Sequence, residues 1–111
     1  MTDDRLYLVH ISECIARIEE YTSEGRSAFL DDSMTQDAVL RNLQVLAEST
    51  QRLSEQIKLG HPEIAWQSIA GFRNLLVHDY LGISLARVWE ILDRDLPDLK
   101  RVAKELLDAM T

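Results

Sequence analysis

A chain of 111 residues, 46% of them hydrophobic and 28% charged, is long enough for one domain with its own core and falls outside the disordered and fibrous classes. A single cysteine, Cys14, excludes a disulfide framework, and no apolar run approaches the ~18 residues of a membrane span. A net charge of −7 speaks against a nonspecific nucleic-acid binder, because a polyanion rewards a basic face.

The charge is uneven. Residues 1–37 carry nine acids against three bases, whereas residues 38–111 carry ten against nine, leaving room there for a small charged cleft. No basic-apolar-small leader opens the chain, so the expected location is cytoplasmic.

Four glycines and two prolines punctuate the sequence, and no alternation runs long enough for a strand. The first helix is predicted from about Asp3 to Thr22. Leu8, Ile11, Ile15 and Ile18 form its apolar stripe, with Tyr7, Cys14 and Tyr21 flanking it. Asp3 and Asp4 suit its positive end, and Gly25 marks its exit. Arg26 to Asp32 reads as a polar connector whose Phe29 and Leu30 tuck against the bundle.

Ser33 with Gln36 fits a capping box opening a second helix that reaches Lys58. Its apolar face is Val39, Leu43, Leu46, Leu53 and Ile57, with Ala47 and Thr50 as small members. Gly60 stops it, and Pro62 suits the first turn of a third helix. That helix carries Ile64, Trp66, Ile69, Phe72, Leu75, Leu76 and a polar cluster, and Gly82 ends or kinks it. Ser84 caps a fourth segment with Leu85, Val88, Trp89 and Leu92 inside. Asp95-Leu-Pro-Asp98 looks like a fresh helix start, so a break or bend near Pro97 is expected before Leu99, Val102, Leu106 and Met110. The expected architecture is all-α: one domain over residues 1–111, an antiparallel bundle of four to five helices.

The polar cluster breaks the pattern. Arg73, Asn74, His78, Asp79 and Tyr80 fall within eight residues of an otherwise apolar segment, where function rather than packing is expected. On an ideal helix Arg73 and Tyr80 share a stripe, offset by about 20°, and Asn74 and His78 form an i,i+4 pair. Arg73 and His78 diverge by about 140°, so a shared phosphate requires a bend near Gly82 or a second copy of the chain.

Arg73-Asn-Leu-Leu-Val-His78-Asp-Tyr80 resembles the R-x-x-x-x-H-x-Y signature of HepT-like toxins in the HEPN superfamily. The likeness extends through Arg5-Leu-Tyr-Leu-Val-His-Ile, Asp37-Ala-Val-Leu-Arg-Asn-Leu, His61-Pro-Glu-Ile-Ala-Trp66, Val88-Trp-Glu-Ile and Asp95-Leu-Pro-Asp-Leu, in order along nearly the whole chain. One departure is Ala47, standing before Glu48 where relatives often have glycine.

The resemblance implies a HEPN-like symmetric homodimer with the two motifs facing each other, and a metal-independent endoribonuclease acting on RNA without a cofactor. It implies that His78 moves a proton during 2′-hydroxyl attack on phosphate and that Arg73 stabilises the added negative charge. Asn74 and Asp79 would support them. It further implies a type VII toxin-antitoxin pair, in which an MNT-type nucleotidyltransferase attaches AMP to Tyr80 and so fills the phosphate site with a bulky anion.

Plainer readings stand beside these. A lone His78 on an apolar helix would more often be a hydrogen-bonded core residue; its company changes the balance. Tyr80 divides between a modification site and a packed interface tyrosine. Glu48 reads as an ion-pair residue, and Trp66 and Trp89 as core or dimer-interface anchors rather than base-stacking platforms. His10 and His61 lack partners at metal-ligand spacing, His61 beside Pro62 reads as a cap, and Cys14 lacks an activating base. The alternative function is a noncatalytic HEPN-type subunit that binds a nucleotide or a partner nucleotidyltransferase.

Overall fold

The computed structural model describes residues 3–78 and 84–110, with side chains described up to Phe72 and again from Ser84. Among these residues run seven helices: α1 (Asp4–Tyr21), α2 (Arg26–Asp31), α3 (Ser33–Gln51), α4 (Glu55–Gly60), α5 (Trp66–His78), α6 (Leu85–Arg94) and α7 (Leu96–Ala109). Five are the long helices of the expected bundle. The other two, α2 and α4, are six residues each and were hidden in segments read as a connector and as a helix end.

α1 forms as its stripe predicts. Asp3 accepts from the Leu6 N–H at 3.1 Å, and Leu8, Ile11, Cys14, Ile15 and Ile18 are buried. α1 exits at Thr22, whose hydroxyl donates to the Ile18 carbonyl at 2.7 Å. Gly25 stands at the entrance to α2, where its φ of +94° makes the corner. Arg26 to Asp31 is thus a helix rather than a connector, and it drives Phe29 into the core, 1% exposed.

The cap of α3 is one residue earlier than the expected Ser33–Gln36 box. Asp32 accepts from the Met34 N–H and the Thr35 hydroxyl, and the Gln36 amide donates back to the Phe29 and Leu30 carbonyls of α2. A carboxylate outcompetes a hydroxyl at this position because it accepts twice at the positive helix end.

The predicted helix to Lys58 breaks after Gln51. Leu53 is buried, the Ser54 N–H donates to the Asp4 carboxylate of α1 at 2.8 Å, and the Ser54 hydroxyl caps a new helix, α4. Gly60 ends α4 as expected, with His61 as its C-cap. Pro62 lies in the turn that follows, not in the first turn of α5, which starts at Trp66. The Trp66 indole N–H reinforces the tight turn: it donates to the Lys58 and His61 carbonyls, which also accept the His61 and Ile64 backbone N–H groups.

Ser84 caps α6 by accepting from the Arg87 N–H, and Pro97 sits in the first turn of α7, both as predicted. Packing orders the helices. α3 lies between α1 and α5, α1 also packs on α7, α7 on α6, and α2 bridges α3 and α6 through Phe29 and Trp89, whose ring centroids lie 5.5 Å apart. Among the described residues α5 packs mainly against α3.

Candidate active site

Arg73, Asn74 and His78 lie in the last two turns of α5. Asp79 and Tyr80, like the expected stop at Gly82, lie outside the described residues. α5 is therefore the element that brings three of the five proposed site positions together, and its register gives each a place around the helix.

Ile69 and Phe72 are 1% and 6% exposed and mark the side of α5 that faces the core. Gln67 and Gly71 are exposed and mark the opposite side, while Trp66 and Ala70 are half-buried between the two. A seven-residue step on an α-helix returns to nearly the same direction, within about 20°. Position 74 thus continues the line of Gln67, position 78 that of Gly71, and position 73 that of Trp66. In the register of the helix, positions 74 and 78 thus fall on the outward line and position 73 on the flank.

A groove of about 500 Å³ adjoins that flank, between α4 and the start of α5, with Lys58, Leu59, Trp66, Gln67 and Ala70 among its walls. Sequence reasoning missed it. The signal available was the Trp66–Ala70–Arg73 spacing of i, i+4, i+7, which sets an aromatic and a small residue on the same flank as the arginine.

The other singled-out residues take quiet roles. Glu48 pairs with Arg52 at 3.9 Å on the surface of α3, and Ala47 is fully buried with its methyl accommodated. Trp89 is a core anchor on Phe29. His61 contacts Glu63 at 3.5 Å, and Arg101 reaches the same carboxylate at 3.7 Å. The favourable backbone hydrogen bond at Glu63 comes first, and His61 and Arg101 add to it, in holding that carboxyl below the usual range. Cys14 is buried, which pushes its thiol up more than Arg17 pulls it down. Among the described residues no group of three or more His, Cys, Asp or Glu is arranged to hold a metal ion, and no helix is long and apolar enough to cross a membrane.

The family model described as Ribonuclease HepT-like matches residues 11–106. The chain belongs to the HepT-like ribonuclease family. A Thermococcus cleftensis protein named "Probable ribonuclease HepT" is 39% identical to it, the match covering 85% of this chain and 86% of that protein. The mRNA nuclease HepT of Shewanella oneidensis is 28% identical, covering 82% of this chain and 86% of the relative. A Methanocaldococcus jannaschii protein, whose name joins gamma-glutamylcyclotransferase to a provisional RNase, is 31% identical over 97% of this chain. This chain spans only about half (49%) of that longer relative. No solved structure matches the chain significantly. The HepT-like match takes in both α5 and the cap that opens α6, so Arg73, Asn74, His78, Asp79 and Tyr80 all fall inside it.

Proposed function

We propose that this chain is a metal-independent endoribonuclease, with Arg73 and His78 as its catalytic residues. The observation that carries the reading is the HepT-like family match over a segment that retains arginine and histidine at the motif spacing. Histidine suits proton transfer because its unperturbed pKa of about 6.5 lies near neutrality. Deprotonation of the RNA 2′-hydroxyl lets that oxygen attack the adjacent phosphorus; the 5′-oxygen then leaves as it gains a proton. Arg73, a planar and permanently charged fork, stabilises the negative charge that builds on the equatorial oxygens. Asn74 orients the imidazole and Asp79 tunes it.

The register of α5 separates positions 73 and 78 by about 140°, which supports a cleft completed by a second copy in a symmetric homodimer. Within that cleft Tyr80 is the site of AMP attachment by an MNT-type nucleotidyltransferase antitoxin. An added phosphate and adenosine beside Arg73 would compete with RNA for the same charge and leave the fold intact. This makes the chain a type VII toxin acting in the cytoplasm. The net charge of −7 favours one second reading, a noncatalytic subunit binding a nucleotide or the transferase.

Purified protein incubated with mixed RNA in excess chelator separates the two. Cleavage is expected, with His78→Ala reducing its rate about 10²–10⁴-fold and Arg73→Ala about 10²–10³-fold. Equal activity in wild type and both variants would sink the catalytic assignment. Intact mass after co-expression with the transferase should rise by AMP units, and persistence of that rise in Tyr80→Phe would assign the modification elsewhere.

A further inference from the structure

We infer that the groove between α4 and α5 is a subsite for a nucleobase of the RNA strand flanking the scissile phosphate, with Trp66 as its stacking surface. The inference rests on the ribonuclease reading above and adds to it where the strand runs. Three observations converge on the groove. Its volume, about 500 Å³, lies within the range of small-ligand sites. Its α5 wall, Trp66 and Ala70, continues along the helix to Arg73 at i+7 and i+3, so it begins about 4.5 Å and ends about 10.5 Å from the arginine along the axis. Stacked nucleotides advance about 3.4 Å each, so a base one to three nucleotides from the scissile phosphate reaches it.

The third observation is the chemistry of the walls. Trp66 is half-buried, and both of its indole N–H contacts are to backbone carbonyls, at 3.1 and 3.0 Å to Lys58 and His61. Its polar edge is thereby committed and its ring held in place, leaving π-surface as what it offers to a ligand. Leu59, 77% exposed, supplies an apolar rim with no packing role of its own, and Gln67 an amide that can meet a base edge. Lys58 and Glu55 pair at 3.8 Å one turn apart on the α4 wall and offset each other's charge. A near-neutral, aromatic-walled slot suits an uncharged base rather than a phosphate, and stacking of this kind tolerates any sequence because every base has a π-face. Trp66, whose sequence position implies a core or dimer-interface anchor rather than a base-stacking platform, thus takes on the stacking role as well.

The test reads Trp66 directly. In the Trp89→Phe protein Trp66 is the sole tryptophan, and a short 2′-O-methylated oligonucleotide, which cannot be cleaved, should quench its emission. An abasic oligonucleotide of the same length should not. Equal quenching by both, or by neither, overturns the inference. So does a shift in emission with protein concentration and no RNA, which would mean that a second copy covers the groove. A cleavage arm compares kcat/KM for an oligonucleotide and for a dinucleotide holding only the scissile bond. Ala70→Leu, which fills the groove, and Leu59→Ser, which strips its rim, should each lower that ratio, by about 5- to 150-fold for full loss of one stacked base. An unchanged ratio in both variants overturns the subsite. Base-dependent quenching in the Trp89→Phe protein, with a wild type that cleaves nothing, would leave the base site standing and retire the ribonuclease reading instead.

Discussion

Gly25 is the residue whose identity the backbone dictates most narrowly. Its φ of +94° with ψ of −175° lies in a region essentially closed to side chains, although a methyl group there would meet nothing within 4 Å. The cost of Gly25→Ala is therefore backbone strain alone, about 1–3 kcal/mol, to be seen as a lower urea midpoint at unchanged slope. Asp32 gives the acid side of the stability profile. Thr35 donating to its carboxylate is the main cause, with the Met34 and Thr35 N–H groups, that holds its carboxyl below the usual range. A depressed native value means that its stabilisation is complete above the unfolded carboxylate range and is lost as pH falls through the native one. Asp32→Ala should flatten the acid limb of stability measured against pH and lower stability at neutrality; an unchanged limb would show that the cap is silent. Arg73, Asn74, His78, Asp79 and Tyr80 were legible at this scale because a motif is a property of adjacent residues. The groove between α4 and α5 was not, since its far wall comes from α4 across a turn.

At the scale of elements, the apolar stripes of α1 and α3 and the start signals at Ser84 and Pro97 could be read locally. A stripe at helical spacing has one way to bury itself, and a cap acts within one turn. The errors share a cause. Residues 52–54 contain neither glycine nor proline, so nothing local stops α3; the stop comes from Asp4, fifty positions earlier, which takes the Ser54 N–H. Pro62 can open a helix, but the Trp66 indole binds the carbonyls of Lys58 and His61 and makes that stretch a turn. Ser54→Ala removes the cap of α4, and Asp4→Ala the bond that seats it. Ser54→Ala should cost about 1 kcal/mol and lower Tm by a few degrees. Hydrogen exchange should quicken in α4 before it quickens in α3. Uniform exchange across both would mean that they act as one helix.

At the scale of the whole molecule, the question is what lies against the outward side of α5. Gly71 is exposed there, and a Cβ at its position would meet nothing within 4 Å among the described residues. Gly71→Ala should stabilise the isolated chain by about 0.5–1 kcal/mol through helix propensity. If two copies face each other across this helix, Gly71→Arg should halve the mass seen by light scattering and abolish RNA cleavage together. A wild-type protein that is monomeric at micromolar concentration would remove the composite cleft. Core substitution gives the contrasting case: Leu43→Ala, at a position 1% exposed, should cost about 2–5 kcal/mol and leave the assembly state unchanged.

The sequence by itself determined the all-α class, the stripes of the long helices, the acidic start of α1, the cap at Ser84, and the Arg73–His78–Tyr80 motif with the family it announces. Each depends on residues within a turn or two of one another, where spacing alone fixes geometry. Only the tertiary structure decided that Phe29 enters the core on a helix of its own, that α3 breaks at Leu53, and that Trp66 and Lys58 share a groove between α4 and the start of α5. Those outcomes depend on groups far apart in the chain competing for the same backbone donors, carbonyls and core space. Local spacing carries no record of that competition.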